Sequence, residues 1–267
     1  MSAALLPDAL APLRANPARA AVLLDIDGTL APIVDRAAEA HVPEQTRQLV
    51  IEAAKKYKLV ACVTGRRASE ARAMVSVGTV TYVGSHGAEI LRPGWLEPAL
   101  DPHVKAWADR MTAFTRDLDL AEMRRRRVRL EDKGPILAFH WRGAPNQEAA
   151  RAMVEMIATQ AQDAGLRPHW GRKVLEVRPP VEFDKGSGVT ALIRDANVDV
   201  ALYAGDDRTD IDAFRALAAL AASGTIDTSV RVGVRSDEGP SELADESDLL
   251  VDGTDGVKQL LETLVAV

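Results

Sequence analysis

The chain has 267 residues, of which 47% are hydrophobic and 27% charged, a composition that excludes an intrinsically disordered protein and allows a substantial buried core. Its formal charge of −6 argues against a general affinity for nucleic acid or for an anionic membrane surface. A single cysteine, Cys62, excludes an internal disulfide and a metal site built from several cysteines.

No run of ~18 apolar residues without a charge indicates a membrane span. Residues 1–18 are interrupted by prolines and lack a basic start followed by an uninterrupted apolar stretch, so they do not resemble a signal peptide. We therefore expect a soluble, cytoplasmic protein.

The first predicted element is a strand over Ala20–Leu24, whose continuous apolar run is typical of a strand buried on both faces of a parallel sheet. It ends in Asp25 and Asp27, which share one face because side chains alternate along a strand. Gly28 and Thr29 follow, and such a turn lets backbone amides approach a ligand. An ordinary strand-to-loop corner, with Asp and Gly selected for turn geometry, is the alternative.

A second buried strand, Leu59–Val63, runs directly into Thr64, Gly65 and Arg66. A hydroxyl and the N-terminal amides of a helix thus follow another strand end, an arrangement that suits an anion. A threonine that only caps the helix is the alternative. Nearby predicted elements are helices over 43–56 and 68–75 and a strand over 80–84.

Beyond Leu91 the pattern changes from alternating strands and helices to helix, two strands, helix and two strands. We expect residues 92–177 to form a separate α+β module inserted into an α/β domain made of residues 1–91 and 178–267. The predicted elements of the module are helices over 103–118 and 147–164 and strands over 126–132, 136–141, 167–170 and 173–177.

Strand periodicity predicts one apolar and one polar face for the sheet of this module. The polar face carries donors and acceptors suited to a polyhydroxylated ligand, namely Glu131, Lys133, His140, Arg142 and Glu176. A solvated face of an ordinary antiparallel sheet is the alternative.

The run Arg124–Arg127 also has two interpretations. It is either a solvated, charge-rich strand entry or an electrostatic attraction for an anionic substrate. No aromatic stacking platform accompanies it, so a nucleic-acid role is the weakest interpretation.

Asp184 is a predicted N-cap, which places Lys185 in the first turn of a helix over 187–195, where the helix dipole disfavours a cation. A nearby anion explains such a lysine, and an exposed side chain in water is the alternative. The last predicted elements are strands over 200–204, 231–234 and 248–251 and a helix over 254–265.

We expect five carboxylates to gather at one edge of the parallel sheet, because each follows a predicted strand. They are Asp25, Asp27, Asp206, Asp207 and Asp210. With only Lys185 nearby they would repel one another, and a divalent cation resolves this repulsion. An all-oxygen ligand set favours Mg²⁺ over Zn²⁺. Because Mg²⁺ commonly shares its ligands with a phosphate, the sequence predicts phosphoryl transfer, for which an aspartate can be the nucleophile.

Four motifs, taken together and in this order, resemble those of the haloacid dehalogenase (HAD) superfamily of phosphatases. They are Asp25–Thr29, Thr64, Lys185 and Gly205–Asp210. The resemblance implies an α/β fold with a Rossmann-like HAD core and a parallel sheet. It also implies that residues 92–177 are an inserted, mobile cap of the C2 type, which closes over the substrate and excludes water.

Within that superfamily the chain resembles the trehalose-6-phosphate phosphatase family along nearly its whole length. The further matching segments are Thr64–Arg66, Gly84–Glu89, Leu130–Gly134, His140–Arg142 and Leu175–Pro179. There are two departures: Ile211 stands where the family usually has Glu, and Thr64 where Ser is frequent. The resemblance implies Mg²⁺-dependent hydrolysis of trehalose 6-phosphate. Alternatives are a phosphatase for another phosphorylated glycoside or disaccharide, and a non-catalytic sugar-phosphate sensor.

The resemblance also implies the chemistry. Asp25 would attack phosphorus and form an aspartyl-phosphate, while Asp27 would act first as general acid and then as general base. Thr64 and Lys185 would stabilise charge on the transferring phosphoryl oxygens.

For the metal, the resemblance implies Mg²⁺ held by the Asp25 and Asp206 carboxylates and by the main-chain carbonyl of Asp27. Asp207 and Asp210 would orient waters and the lysine from behind. The cap contacts to the sugar would fall on Glu131, Lys133 and Glu176. The full set of expected substrate-binding residues is Gly28, Thr29, Gly65, Arg66, His86, Glu131, Lys133, His140, Arg142 and Glu176.

Overall fold

The structure, a computed structural model, describes residues 6–34, 39–236 and 239–266. The chain divides into two compact units, one made of Met1–Ala99 with Phe183–Val267 and the other of Leu100–Glu182. Both boundaries lie several residues later than the expected limits of the inserted module, 92 and 177. At the first boundary, the strand Ala99–Leu100 still belongs to the large sheet of the first unit.

The strands of the described residues are, in chain order, β1 (Ala20–Leu24), β2 (Leu59–Val63), β3 (Thr81–Gly84), β4 (Glu89–Leu91), β5 (Ala99–Leu100), β6 (Arg129–Asp132), β7 (Leu137–His140), β8 (Arg167–Gly171), β9 (Val174–Arg178), β10 (Val200–Gly205), β11 (Thr228–Arg235) and β12 (Leu249–Asp252). The α-helices are α1 (Leu6–Ala9), α2 (Ala11–Ala15), α3 (Glu44–Lys56), α4 (Ala68–Val75), α5 (Pro102–Lys105), α6 (Ala108–Arg116), α7 (Leu120–Arg125), α8 (Gln147–Asp163), α9 (Lys185–Ala196), α10 (Arg208–Ala222), α11 (Glu242–Asp245) and α12 (Gly253–Val265).

The first unit is built on a mostly parallel sheet with the strand order β12-β11-β10-β1-β2-β3-β4-β5. The strand β1 lies between β10 and β2 and is parallel to both, with Ala20 opposite Val200 and Leu24 opposite Cys62. The antiparallel strand β4 follows β3. The predicted α/β fold with a parallel sheet is therefore confirmed.

Helices cover both faces of this sheet, which explains the continuous apolar run of β1. Val22 and Leu24 belong to a core cluster with residues of α3, α4 and α12. Ala21 and Leu23 point the other way, into a cluster with residues of α9 and α10. A strand buried on both faces needs apolar residues at every position, and all five residues of β1 are buried.

The second unit has its own antiparallel sheet, in the order β6-β7-β9-β8, and its own core. Phe139 is fully buried on one face, beside Leu175 in the neighbouring strand. Val154 and Ile157 of α8 belong to the same apolar cluster. The amphipathic helix thus covers the apolar face of the sheet, as the alternation of its strands predicts.

Two sequence predictions about this unit were wrong. The single helix expected over 103–118 is divided into α5 and α6. A further helix, α7, follows, and Asp119 caps its N-terminus: the Asp119 side chain accepts from the Glu122 amide at 2.8 Å. The strand expected from Arg126 begins only at Arg129, because Arg124 and Arg125 belong to α7. Arg125 and Arg126 pair with the Glu122 carboxylate across one helical turn, so the basic run ends a helix.

None of the helices within the described ranges is both long and apolar enough to cross a bilayer. Cys62 is fully buried in β2, and burial raises the pKa of its thiol. The thiol is therefore protonated at neutral pH, as expected for an inert cysteine in an apolar strand.

Replacing Phe139 by Ala should destabilise the second unit by about 3–5 kcal/mol, because it leaves a cavity in a core too small to refill it. Denaturant unfolding followed by far-UV circular dichroism measures the change. Met156→Ala is the control, since this residue of α8 is 64% exposed and its loss should cost less than about 0.5 kcal/mol. Equal effects of the two variants would contradict the assignment of the core.

Candidate active site

Three adjacent parallel strands, β10, β1 and β2, bring their carboxyl ends to the same edge of the large sheet. Asp206 follows β10, Asp25 follows β1 and Thr64 follows β2. The backbone hydrogen bonds between β1 and β10 continue just past the end of β1, where the Asp25 amide donates to the Ala204 carbonyl at 2.9 Å. Ligands of open α/β sheets bind at this kind of edge, and the polar residues lie there.

Lys185 lies buried in the middle of the carboxylates, only 2% exposed. Its Nζ donates to Asp25 Oδ1 and to Asp210 Oδ1, both at 2.7 Å, and lies 3.8 Å from Asp207 Oδ1. Burial lowers the pKa of Lys185, but the three carboxylates raise it more, so the ammonium stays charged. The exposed lysine left open by the sequence is thus excluded.

Asp210 is fully buried, and its two oxygens are occupied by protein donors. Its Oδ1 accepts from Lys185 and, at 2.6 Å, from the hydroxyl of Tyr203, while Oδ2 accepts from the amides of Asp206 and Asp207 at 3.0 Å. Four donors leave this carboxylate little capacity for a further ligand. Asp210 therefore holds the lysine and the loop before α10 in place.

Asp207 serves as the N-cap of α10, where its Oδ1 accepts from the Thr209 amide at 2.8 Å and the Thr209 hydroxyl at 2.7 Å. Asp206 differs from its neighbour: its Oδ1 is buried and has no hydrogen-bond partner among the described residues. Burial, together with the charges of Asp210 and Asp207, raises the pKa of Asp206 to about 7. A buried acceptor without a protein donor calls for a water or a cation as its partner.

The carboxylates fit a metal ion. Oxygens of Asp25, Asp206 and Asp210 lie within 4.8 Å of one another, and all three residues are buried. Lys185 offsets one charge, which leaves an excess of negative charge in a region of low dielectric. Burial also raises the pKa of Asp25 well above its ordinary value, although Lys185 lowers it. Because Asp210 is already saturated, Asp25 and the unpartnered Asp206 are the better ligands.

The turn after β1 is shaped to pass directly beside Asp206. Gly28 has φ +87°, and a Cβ built on it would lie 2.1 Å from Asp206 Oδ2. Its amide donates to the Ala31 carbonyl at 2.8 Å, which closes the turn. The hydroxyl of Thr29 is buried and has no hydrogen-bond partner in the described part of the chain. Glycine is needed here for both its conformation and its lack of a side chain.

The side chain of Asp27 is not part of the carboxylate cluster. Its two oxygens accept from Arg66 Nε and Nη2, each at 2.7 Å, in a bidentate ion pair. Arg66 was expected among the substrate-binding residues, and this contact with Asp27 was not expected from the sequence. A contribution of the Asp27 main-chain carbonyl to metal binding stays a prediction.

Two loops at the ends of β2 and β3 are joined by backbone hydrogen bonds. The Ser85 amide donates to the Arg66 carbonyl at 2.7 Å, and the His86 amide donates to the Thr64 carbonyl at 3.1 Å. A Cβ on Gly65 would lie 2.6 Å from the His86 ring, so glycine lets the ring pack against the loop. These contacts hold the predicted anion-binding residues Thr64, Gly65 and Arg66 beside His86.

In the second unit, the register places Glu131, Ala138 and Glu176 side by side across three strands, on one face of the sheet. The small alanine leaves space between the two carboxylates. Glu131 Oε2 lies 2.7 Å from His140 Nε2, and Lys133 Nζ lies 3.6 Å from Glu176 Oε1. These residues form a network of donors and acceptors. Arg142, expected in the same set, lies past the end of β7 and is exposed, so strand alternation no longer applies to it.

Some contributions were missed in the sequence. Tyr203 occurs in an otherwise apolar strand, and the single polar atom of its side chain was the available signal. Glu89 is 1% exposed and accepts from the Ala68 amide at 2.9 Å, which satisfies the start of α4. Ile211, the departure from the family motif, is buried in the apolar cluster that contains residues of α9 and α10.

Comparison with known proteins finds a family model and relatives that cover most of the chain. A family model described as trehalose-phosphatase matches residues 23–249. The chain is 30% identical over 219 residues to a probable trehalose-phosphate phosphatase D of Arabidopsis thaliana, an alignment that covers 73% of this chain and 56% of that protein. The chain thus spans little more than half the length of the curated relatives it matches.

Solved structures show the same fold. A crystal structure of a trehalose-6-phosphate phosphatase related protein superposes with a TM-score of 0.69 at 21% identity and covers 92% of this chain and 96% of its own. A haloacid dehalogenase-like hydrolase from Bacteroides thetaiotaomicron superposes with a TM-score of 0.59 at 13% identity, covering 91% of this chain and 98% of its own. The predicted HAD-like fold is confirmed.

Gly28→Ala should weaken divalent-cation binding by about 10- to 100-fold, because the added methyl group displaces the Asp206 carboxylate. Isothermal titration calorimetry measures this affinity. Gly94→Ala is a matched control: Gly94 has φ +79° but no atom within 4 Å of an added Cβ, so this variant meets only the backbone penalty, about 1–2 kcal/mol of stability. Equal cation affinity in the two variants would contradict the close approach.

Proposed function

The chain belongs to the trehalose-phosphatase family, and on that premise we propose that it hydrolyses trehalose 6-phosphate to trehalose and inorganic phosphate. One observation supports this proposal most directly. At the edge of the sheet, the buried Asp25 is held by Lys185 within a group of carboxylates that carries more negative charge than the protein offsets. This is a site for a nucleophilic carboxylate, a cation and a phosphate.

We further propose that the cation is Mg²⁺, held by the carboxylates of Asp25 and Asp206 and by the main-chain carbonyl of Asp27. Their all-oxygen chemistry supports this choice. When bound, the ion would supply charge neutralisation for the phosphoryl group. Asp207 and Asp210 hold the surrounding structure: the first caps α10, and the second fixes Lys185.

In the first step, an oxygen of Asp25 forms a bond to phosphorus while the bond from phosphorus to the sugar oxygen breaks. Lys185 orients the Asp25 carboxylate through its 2.7 Å hydrogen bond, and its charge stabilises the phosphoryl oxygens together with the Thr64 hydroxyl. The departing sugar oxygen takes a proton from Asp27. Water then attacks the aspartyl-phosphate with Asp27 as base, which releases phosphate and restores Asp25.

The ion pair between Arg66 and Asp27 sets a requirement for this mechanism. Both oxygens of Asp27 accept hydrogen bonds from the guanidinium, so neither is available to the departing sugar oxygen while this ion pair is intact. We propose that the bound substrate draws Arg66 away from Asp27 toward the phosphate, which lets Asp27 face the sugar oxygen. Arg66 thus binds the substrate and, by leaving Asp27, controls when Asp27 can act.

For the sugar, we propose that the second unit binds its hydroxyls through Glu131, Lys133 and Glu176. Their shared face and their mixture of donors and acceptors support this role. His140 orients Glu131 through the 2.7 Å contact. We also propose that residues 92–177 act as a mobile cap, that His86 and Arg142 assist in binding, that nucleic acid is not a partner and that the protein works in the cytoplasm.

The proposed function is tested by phosphate release from a panel of sugar phosphates, with Mg²⁺ and with excess EDTA. Trehalose 6-phosphate should have the highest kcat/KM of the panel, and its hydrolysis should stop in excess EDTA. Asp25→Asn should abolish turnover while the circular dichroism spectrum is retained. Asp195→Asn is the control, because this carboxylate is exposed, lies at the opposite end of α9 from Lys185 and pairs with Arg92. A higher kcat/KM for another phosphorylated glycoside would replace trehalose 6-phosphate as the proposed substrate. If no sugar phosphate released phosphate, the proposed phosphatase function would be wrong.

Asp27→Asn should lower kcat on trehalose 6-phosphate by about 10²- to 10⁴-fold, because the sugar alkoxide leaves poorly without a proton. The first-turnover burst of nitrophenolate from 4-nitrophenyl phosphate should fall much less, since nitrophenolate needs no proton to leave, whereas the later hydrolysis of the aspartyl-phosphate loses its base with both substrates. Arg66→Ala should raise KM for both substrates, because the phosphate loses a cation, but it should cause no selective loss of kcat on trehalose 6-phosphate, because Asp27 is no longer held by the ion pair. A loss of kcat confined to trehalose 6-phosphate would contradict the proposed release of Asp27 by Arg66.

Glu131→Ala should lower kcat/KM for trehalose 6-phosphate by about 10- to 100-fold, the range expected for lost hydrogen bonds that involve a charged group. Hydrolysis of 4-nitrophenyl phosphate should change little, because that substrate has no sugar. The control Glu182→Ala removes a carboxylate of the same unit that is 90% exposed. An equal loss on both substrates would contradict sugar recognition by Glu131.

A further inference from the structure

The second unit contains a surface cavity of about 600 Å³ that has no part in the proposed reaction. Two tryptophans line it, Trp141 after β7 and Trp170 in β8, with ring centroids 6.1 Å apart in an edge-to-face arrangement. Its volume lies in the range of small-molecule sites, about 300–1,000 Å³. The cavity therefore has the size and an aromatic wall for an organic ligand.

The aromatic wall is partly open to solvent. Trp170 is 46% exposed, whereas Trp141 is 7% exposed and forms the inner part of the wall. Trp170 pairs with Leu175 in the register of β8 and β9, so it continues the apolar face of the sheet beyond the part that α8 covers. A large aromatic surface exposed beside a cavity is more typical of a ligand-binding site than of a core residue.

One polar side chain of the lining, Gln147, holds the inner wall in place. Its Nε2 donates to the carbonyls of Trp141, Arg142 and Ala144 at 3.2, 3.0 and 2.8 Å. These contacts fix the turn that carries Trp141, so the wall has its shape before a ligand binds.

Charged side chains complete the rim. Arg151 and Lys173 provide donors, and Glu148 provides acceptors. Arg151 is already paired with Glu155 at 2.9 Å, so the remaining charges of the rim, one positive and one negative, balance. The Lys173 backbone is held in the left-handed region, φ +60°, and its carbonyl accepts from the Trp141 amide at 3.2 Å. A balanced rim favours a neutral ligand over a phosphorylated one.

We propose that this cavity is a second carbohydrate-binding site, which takes a neutral saccharide of one or two rings. A sugar ring presents apolar C–H faces that can pack on an indole and hydroxyls that both donate and accept, which are the two kinds of surface this cavity combines. No residue of its wall or rim has a role in the proposed hydrolysis. The site would allow the unphosphorylated sugar to be bound separately from the substrate.

Titration of the full chain with trehalose, maltose and glucose, followed by tryptophan fluorescence, tests the proposal. At least one of these sugars should cause a saturable change, which sodium chloride at the same osmolality should not produce. Trp170→Ala should abolish the change. Trp95→Phe is the matched control, because Trp95 is 45% exposed and belongs to the other unit, and the change should be retained.

Arg151→Ala changes an exposed position and keeps the test valid if Trp170→Ala does not fold. It should lower the affinity for the sugar by about 5- to 10-fold. Hydrolysis of 4-nitrophenyl phosphate should be unchanged in both variants, so a failure of the proposed enzyme and a failure of this site are distinguishable. The proposal is overturned by the absence of any saturable change, by an unchanged response in Trp170→Ala and Arg151→Ala, or by tighter binding of phosphorylated than of neutral sugar at this site.

Discussion

The structure of the catalytic edge depends on one buried ammonium. Lys185 joins the start of α9 to Asp25 after β1 and to Asp210 in α10, through two hydrogen bonds of 2.7 Å. Asp210 in turn binds Tyr203 in β10 and two loop amides, so the ammonium connects four elements. Removing one partner of such a buried pair leaves an uncompensated charge, which typically costs about 3–5 kcal/mol.

This arrangement also explains why the site requires a ligand. The ammonium holds two carboxylates, but Asp206 lies beside them with a buried oxygen that no described residue satisfies. The pKa of its carboxyl rises to about 7, chiefly because of burial and then because of its acidic neighbours. The fold thus keeps a carboxylate in an unfavourable environment, and a bound dication would offset the cost of burying it.

Much of this could be predicted from the sequence, because the information was local. Ala20–Leu24 is continuously apolar, and the positions of Asp25, Thr64 and Asp206 directly after apolar runs place them at one edge once the sheet is parallel. Alternation along the short strands likewise placed Glu131 and Glu176 on one face. Such predictions need only the period of an element and the rule that parallel strands end together.

The rest depends on contacts between residues distant in the chain, which no local period reveals. The pairing of Arg66 with Asp27, the hydroxyl of Tyr203 on Asp210 and the position of Glu89 below α4 all belong to this class. The division of the helix expected over 103–118 was missed for another reason: its apolar residues keep a helical period across the break at Ala106 and Trp107, so periodicity alone does not show it.

The central claim, that the carboxylates at the catalytic edge are arranged to hold a dication, is tested most directly by the melting temperatures of the wild type and Asp206→Asn, each with and without Mg²⁺. Mg²⁺ should raise the melting temperature of the wild type by several degrees, whereas Asp206→Asn should melt above the wild type without Mg²⁺ and respond little to the ion. A variant that is less stable than the metal-free wild type, or that gains as much from Mg²⁺, would contradict the claim.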